Sequence, residues 1–145
     1  MYKHILIATD GSELARKAMT QGLALAKALG ARVTAVSVTE PWATMAPPEV
    51  LNEPFVQEFE RVAAERAKRI LDVVAAAAKE ANVACSTLHV RDRFPAEGIL
   101  EAAASVGCDL IVLASHGRRG VVKLLLGSQA AEVLTHSPVP VLVCR

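Results

Sequence analysis

Five short apolar runs recur along this chain, each separated from the next by a stretch whose apolar residues return every three or four positions. They fall at residues 3–9 (KHILIAT), 32–38 (RVTAVSV), 83–90 (VACSTLHV), 109–114 (DLIVLA) and 139–144 (VPVLVC). Runs of this length, rich in β-branched and aliphatic residues, read as buried strands, and the spacing between them reads as helix. The order is therefore β-α-β-α-β-α-β-α-β. Strands joined through helices cannot form hairpins, so they must pair in parallel through right-handed crossovers. Helices then cover both faces of the sheet, and the strands are expected to be apolar throughout rather than alternating. The fold class is α/β, a three-layer open parallel sheet of five strands.

Each helix carries its own start and stop signals. The first spans Glu13 to Leu29, with Leu14, Ala18, Gly22, Leu25 and Leu29 as its apolar row, Ser12 as N-cap and Gly30 as terminator. Residues 39–54 hold Pro41, Pro47, Pro48 and Pro54 and read as a loop. The second helix follows, from about Phe55 to Ala81, with a stripe at Phe59, Ala63, Ala67, Ile70, Val74, Ala77 and Ala81. Its other face, including Glu58, Glu65, Arg66, Lys68, Arg69 and Asp72, reads as solvated. Pro95 opens a third helix, with Glu97 and Glu101 suited to its positive end, and Gly107 closes it. A fourth, from about Ser128 to Thr135, would turn Ala130, Val133 and Leu134 inward.

Composition narrows the function classes. At 145 residues the chain is a single domain, residues 1–145, long enough to bury a core. Hydrophobic residues make up 52% and aromatic residues 3%, so that core is aliphatic. A formal charge of +1 gives no electrostatic case for nucleic acid or an acidic membrane as partner. Cys85, Cys108 and Cys144 lack any disulfide or zinc spacing and read as buried thiols of a reducing compartment. No apolar run approaches the ~20 residues of a membrane span, and a cytoplasmic location is expected.

The stretch from Ala114 to Gln129 (ASHGRRGVVKLLLGSQ) concentrates glycines, basic side chains and a hydroxyl between a strand end and a helix start. Gly127, Ser128 and Gln129 would present free backbone N–H groups where the helix dipole favours an anion, so a phosphate fits there. Gly127 as a plain loop glycine and Ser128 as an ordinary cap remain the alternative. The stretch is neither a Walker A loop nor a G-x-G-x-x-G turn. Open parallel sheets bind ligands beyond the carboxyl ends of their strands, near a switch point. Candidates there are Asp10, the segment near Val38, and Ala114 to Gly117, which includes Ser115 and His116. Asp10 suits a ribose hydroxyl or a metal, or simply the cap of a turn. Arg118, Arg119 and Lys123 suit phosphate oxygens, or only solvent. Ser115, His116 and Asp10 supply the residue types of a hydrolytic triad, but no nucleophile elbow surrounds the serine. His4, His89 and His136 read as structural.

These stretches together resemble the universal stress protein family along the whole chain. The matching segments are ILIATDGSE at 5–13, DLIVLASHGRRG at 109–120, LLLGS at 124–128 and SPVPVLV at 137–143. The resemblance implies a Rossmann-like, adenine-nucleotide-binding sheet of order 3-2-1-4-5. It also implies the pattern G-x2-G-x9-G-S/T, with Gly117 as its second glycine and Gly127-Ser128 at its end. Thr9 and Asp10 would then lie at the ribose and the Val38 backbone at adenine, with Gly117, Gly127, Ser128 and Gln129 at the phosphates. The first glycine is replaced by Ala114, whose methyl group is expected to weaken binding rather than abolish it. ATP is the implied ligand, with ADP, AMP and an accompanying Mg2+ left open. The family further implies a homodimer through Val139 to Cys144. No general base is evident, so hydrolysis is expected to be slow or absent. A nucleotide-independent, dimeric interaction module stands as the alternative function.

Overall fold

A computed structural model of the chain describes residues 1–117 and 125–145. Five parallel strands form one sheet in the order β3-β2-β1-β4-β5: β1 (His4–Ala8), β2 (Arg32–Thr39), β3 (Cys85–Arg91), β4 (Leu110–Ala114) and β5 (Val141–Cys144). Four helices connect them: α1 (Glu13–Leu29), α2 (Glu53–Glu80), α3 (Pro95–Val106) and α4 (Ser128–His136). The expected order of elements is observed. Ile5 and Ile7 of β1 face α1 and α2, while Leu6 and Ala8 face α3 and α4. Burial on both sides leaves Ile5, Leu6 and Ile7 with no solvent exposure, which is why β1 carries no polar alternation.

Helix ends follow the local chemistry. The Ser12 side chain accepts from the N–H of Ala15, and Gly30 ends α1 in the left-handed region at φ 65°. Helix α2 starts at Glu53, ahead of the expected Phe55: the Asn52 side chain accepts from the N–H of Phe55. Pro54 is thus helical rather than part of the loop, because a proline in the first turn gives up only an N–H that has no helical partner. The 39–54 connection also contains two short 3-10 turns, Trp42–Thr44 and Pro48–Val50.

Several expectations about faces and edges are corrected. The row that α1 buries is Ala15, Ala18, Gly22, Leu23 and Ala26, while Leu29 is exposed. In α2 it is Ala67, Leu71, Val74 and Ala78: Ala67 and Val74 are buried as expected, while Leu71 and Ala78 take the places expected for Ile70 and Ala77. Leu134 of α4 is 50% exposed, since Ala130 and Val133 alone meet the sheet. Strand β3 is not apolar throughout. It is an edge strand, its Ser86 and Thr87 face solvent, and Cys85 is only half-buried. Strand β5 begins at Val141 rather than Val139, because the Val139 N–H turns to the Ser137 hydroxyl and Pro140 has no N–H to give.

At the amino end of the sheet, His4 is 7% exposed and its Nε2 lies 2.7 Å from Thr34 Oγ1. Its Nδ1 is buried with no hydrogen-bond partner among the described residues. Burial, then the nearby Arg32 cation, lowers the His4 pKa, against a smaller raising effect of Asp109. The unfolded chain then binds a proton that the folded protein resists. Stability from this group is complete above its ordinary pKa of about 6.5 and is lost as pH falls below it. Thermal midpoints measured from pH 7.5 down to 5 should therefore fall more steeply for the parent than for His4→Gln. Parallel slopes would remove His4 as the cause.

Candidate functional site

The turn after β1 is tied by its own side chains. Thr9 N–H donates to the Val36 carbonyl at 2.9 Å, and the Thr9 hydroxyl accepts from Gly11 N–H at 3.1 Å. Asp10 Oδ1 accepts from Ser12 N–H at 2.9 Å, so the turn-capping role anticipated for this carboxylate is present. Its second oxygen faces the loop after β4: a Cβ added at Gly117 would lie 3.0 Å from Asp10 Oδ2. The ends of β1 and β4 therefore converge, and a side chain at 117 would crowd the carboxylate.

Val38 reaches the same edge from β2. Along this strand the peptide groups of even residues point to β1, as in Arg32 N–H to Lys3 and Thr9 N–H to Val36. Those of odd residues point to β3, as in Val33 N–H to Ala84 and Arg93 N–H to Thr39. The pairing with β1 stops at Ala8 and Val36, so the N–H and C=O of Val38 project past the end of β1. A donor and an acceptor side by side on one backbone can read the edge of a heterocyclic base. The Val38 side chain is fixed from behind by α3, where a Cβ added at Gly98 would come within 2.7 Å of both its methyl groups. Gly98 was missed at the level of sequence. Its one signal there is a glycine inside a helix, where it costs about 1 kcal/mol against alanine and so needs a packing reason.

The loop after β4 contributes Ala114 to Gly117 and then Gly127 to Gln129. Ala114 turns its methyl group to the α1 side of the core. Ser115 is 5% exposed, its Oγ lies 3.1 Å from His116 Nδ1, and its carbonyl accepts from Gly127 N–H at 2.8 Å. This hydroxyl is shut away from substrate, which is a structural setting rather than that of a nucleophile. A Cβ at Gly127 would lie 2.8 Å from the same Ser115 oxygen. Its φ is −61°, so glycine is required here by a close contact and not by backbone conformation. The Gly127 N–H is consequently not one of the free donors anticipated at this helix start. The first-turn amides of α4 belong to Ser128, Gln129 and Ala130. The Gln129 side chain is engaged elsewhere, its Oε1 accepting from Ala96 N–H at 2.9 Å at the start of α3. Arg118, Arg119 and Lys123 lie outside the described residues. Among the described residues no group of three or more His, Cys, Asp or Glu side chains is placed to hold a metal ion, and no helix is long and apolar enough to cross a membrane.

What results is a crevice at the point where the chain leaves β1 for one face and β4 for the other. A carboxylate, a backbone edge that runs past the end of β1 and a helix N-terminus line it. It can hold a ligand with a polar heterocycle at one end and an anion at the other.

Residues 1–145 match the family model described as the universal stress protein family. A universal stress protein of Thermus aquaticus is 38% identical over 145 residues, covering all of both chains. Among solved structures, the universal stress protein UspA from Lactobacillus plantarum is 26% identical with a TM-score of 0.86, covering 99% of this chain and 98% of that one. A universal stress protein solved in complex with cAMP shares the fold at a TM-score of 0.71 and 23% identity, covering 99% and 97%.

The contact between Gly98 and Val38 generates a specific expectation. Gly98→Ala should destabilise the protein by about 1–3 kcal/mol, since the added methyl meets both methyl groups of a β-branched side chain with few rotamers to move to. The double variant Gly98→Ala/Val38→Ala should recover most of that loss in urea unfolding. Additive losses would show that the two positions do not press on each other.

Proposed function

The chain belongs to the universal stress protein family, and from that membership we propose that it binds ATP across the carboxyl ends of β1, β2 and β4. The observation that carries this reading is the convergence of Asp10, Gly117 and the start of α4 at the switch point of the sheet. Adenine meets the Val38 backbone, the ribose lies by Thr9 and Asp10, and the phosphates lie along Ser115 to Gly117 and the first-turn amides of α4. Ala114 is a smaller obstacle than its sequence position implies, because its methyl group belongs to the core side. Mg2+ would accompany ATP through phosphate oxygens and water. That a fold relative was solved in complex with cAMP supports an adenine nucleotide as the class of ligand.

The protein acts as a nucleotide-responsive regulator in the cytoplasm rather than as a rapid enzyme. Two copies pair through β5, an edge strand whose Leu142 side chain is 37% exposed.

A second reading has its own observation. Gly127 is demanded by the Ser115 carbonyl and Gln129 by α3, so both residues are explained without any nucleotide. In that case the protein is a dimeric interaction module.

Titration of ATP, ADP and AMP into ligand-free protein separates the two. Saturation by ATP in the micromolar range supports the nucleotide reading, and no binding at millimolar concentration overturns it. Ser128→Pro refines the test. The variant removes the amide N–H at the first helical position together with the Ser128 hydroxyl, at a place where proline is tolerated, after a Gly127 already extended at ψ 151°. ATP affinity should drop about tenfold, the value of one charge-assisted hydrogen bond, with the fold intact. For the dimer, Leu142→Asp should give a monomer in sedimentation experiments, and an unchanged mass would place the interface elsewhere.

A further inference from the structure

Behind the turn that carries Asp10 lies a second opening, between α1 and α2. It is a cleft of about 290 Å3 lined by Thr9, Gly11, Arg16, Met19, Arg66, Arg69, Ile70, Val73 and Val74. The spacing makes this one surface. Positions 66, 69, 70, 73 and 74 follow the helical repeat down a single side of α2, and Arg16 and Met19 stand three apart on α1 opposite. The lining divides in two: Met19, Ile70, Val73 and Val74 are apolar, and three guanidinium groups complete the wall.

Among the described residues, none of the ion pairs includes these three cations. On α2, Glu58 and Glu65 both pair with Arg61, and Asp72 pairs with Lys68. No described carboxylate is ion-paired with Arg16, Arg66 or Arg69. Three like charges that cannot be neutralised by deprotonation thus line one apolar hollow. An anion relieves that repulsion, and an apolar body attached to it would cover the hollow.

We propose that the α1–α2 cleft binds a small amphipathic organic anion, its phosphate or carboxylate head held by Arg16, Arg66 and Arg69 and its apolar tail laid on Met19, Ile70, Val73 and Val74. The volume suits a small molecule rather than a chain segment. This site borders the proposed nucleotide crevice across the turn after β1 and shares Thr9 with it, while its arginines and apolar wall belong to α1 and α2. Thr9 and Gly11 form its back wall, whereas the Asp10 carboxylate looks toward Gly117.

The test is calorimetric titration at low ionic strength with octyl phosphate (below its micellar concentration), octanoate and inorganic phosphate. Octyl phosphate or octanoate should saturate at one per chain, at least about tenfold tighter than inorganic phosphate, and the two heads rank phosphate against carboxylate. Arg66→Ala/Arg69→Ala should weaken that binding at least about tenfold. ATP affinity and the thermal midpoint should stay unchanged. Val73→Glu, at an exposed position, should do the same by placing a carboxylate in the cleft. Ser128→Pro should leave octyl phosphate binding intact. The proposal fails if neither amphiphile saturates, if inorganic phosphate binds as well, if both cleft variants bind like the parent, or if Ser128→Pro abolishes the binding. Octyl phosphate binding to a protein that ignores ATP would overturn the nucleotide reading alone.

Discussion

Everything in this molecule depends on a central strand that has to be sealed on both faces by helices lying close to it. The chain solves this by dividing side-chain volume between layers. Bulky residues sit in the sheet, as Ile5, Leu6, Ile7, Val33, Val36, Ile111 and Val112, while the helices present Ala18, Gly22, Ala26, Ala78, Ala96, Gly98, Ala102 and Ala130. Close approach of small helix faces to branched strands lets dispersion and burial act over a continuous surface without aromatic residues. Gly22 and Gly98 are the limit of the same scheme. A methyl group at Gly22 would fall 2.8 Å from the Ile7 side chain.

The crevice is the complement of that packing. Sheet and helices close over one another along the length of β1, and that packing stops at the carboxyl ends, where the connections from β1 and β4 part to opposite faces. Polar groups are ordered there by short internal bonds, with Asp10 holding Ser12, Thr9 holding Gly11 and Ser115 holding Gly127. Groups held in this way are presented to a ligand without rearrangement, which limits the ordering cost of binding.

Most elements were legible in the sequence because their signals are local. Ser12, Gly30, Pro95 and Gly107 act on the backbone beside them, and the apolar runs need no partner to be recognised. The family signatures carried the order of the strands. What was hidden depends on contacts between distant residues. The buried row of α1 runs through Leu23 and Ala26 rather than Leu25 and Leu29 because the neighbouring helix and sheet set its rotation. β3 tolerates serine and threonine because it ended up at an edge. The engagement of Gln129 with α3 and the pressure of Gly98 on Val38 join segments that no periodicity relates, and the arginine cleft exists only once α1 and α2 lie side by side. In the site, the residue types at Asp10, Gly117 and Gly127 were evident early. The reason for Gly127 was not, since it is a carbonyl oxygen 2.8 Å from a missing atom.

The hydrogen bond from Ala96 N–H to Gln129 has a geometrical corollary. It fastens the start of α4 to the start of α3, and α3 in turn grips Val38 through Gly98. The two ends of the crevice are thereby parts of one rigid bracket rather than two independent jaws. On the proposed nucleotide reading, a bracket of this kind would work as a gauge, accepting molecules whose two recognition groups lie a set distance apart. Length, more than the strength of any single contact, becomes the property by which one occupant is distinguished from another.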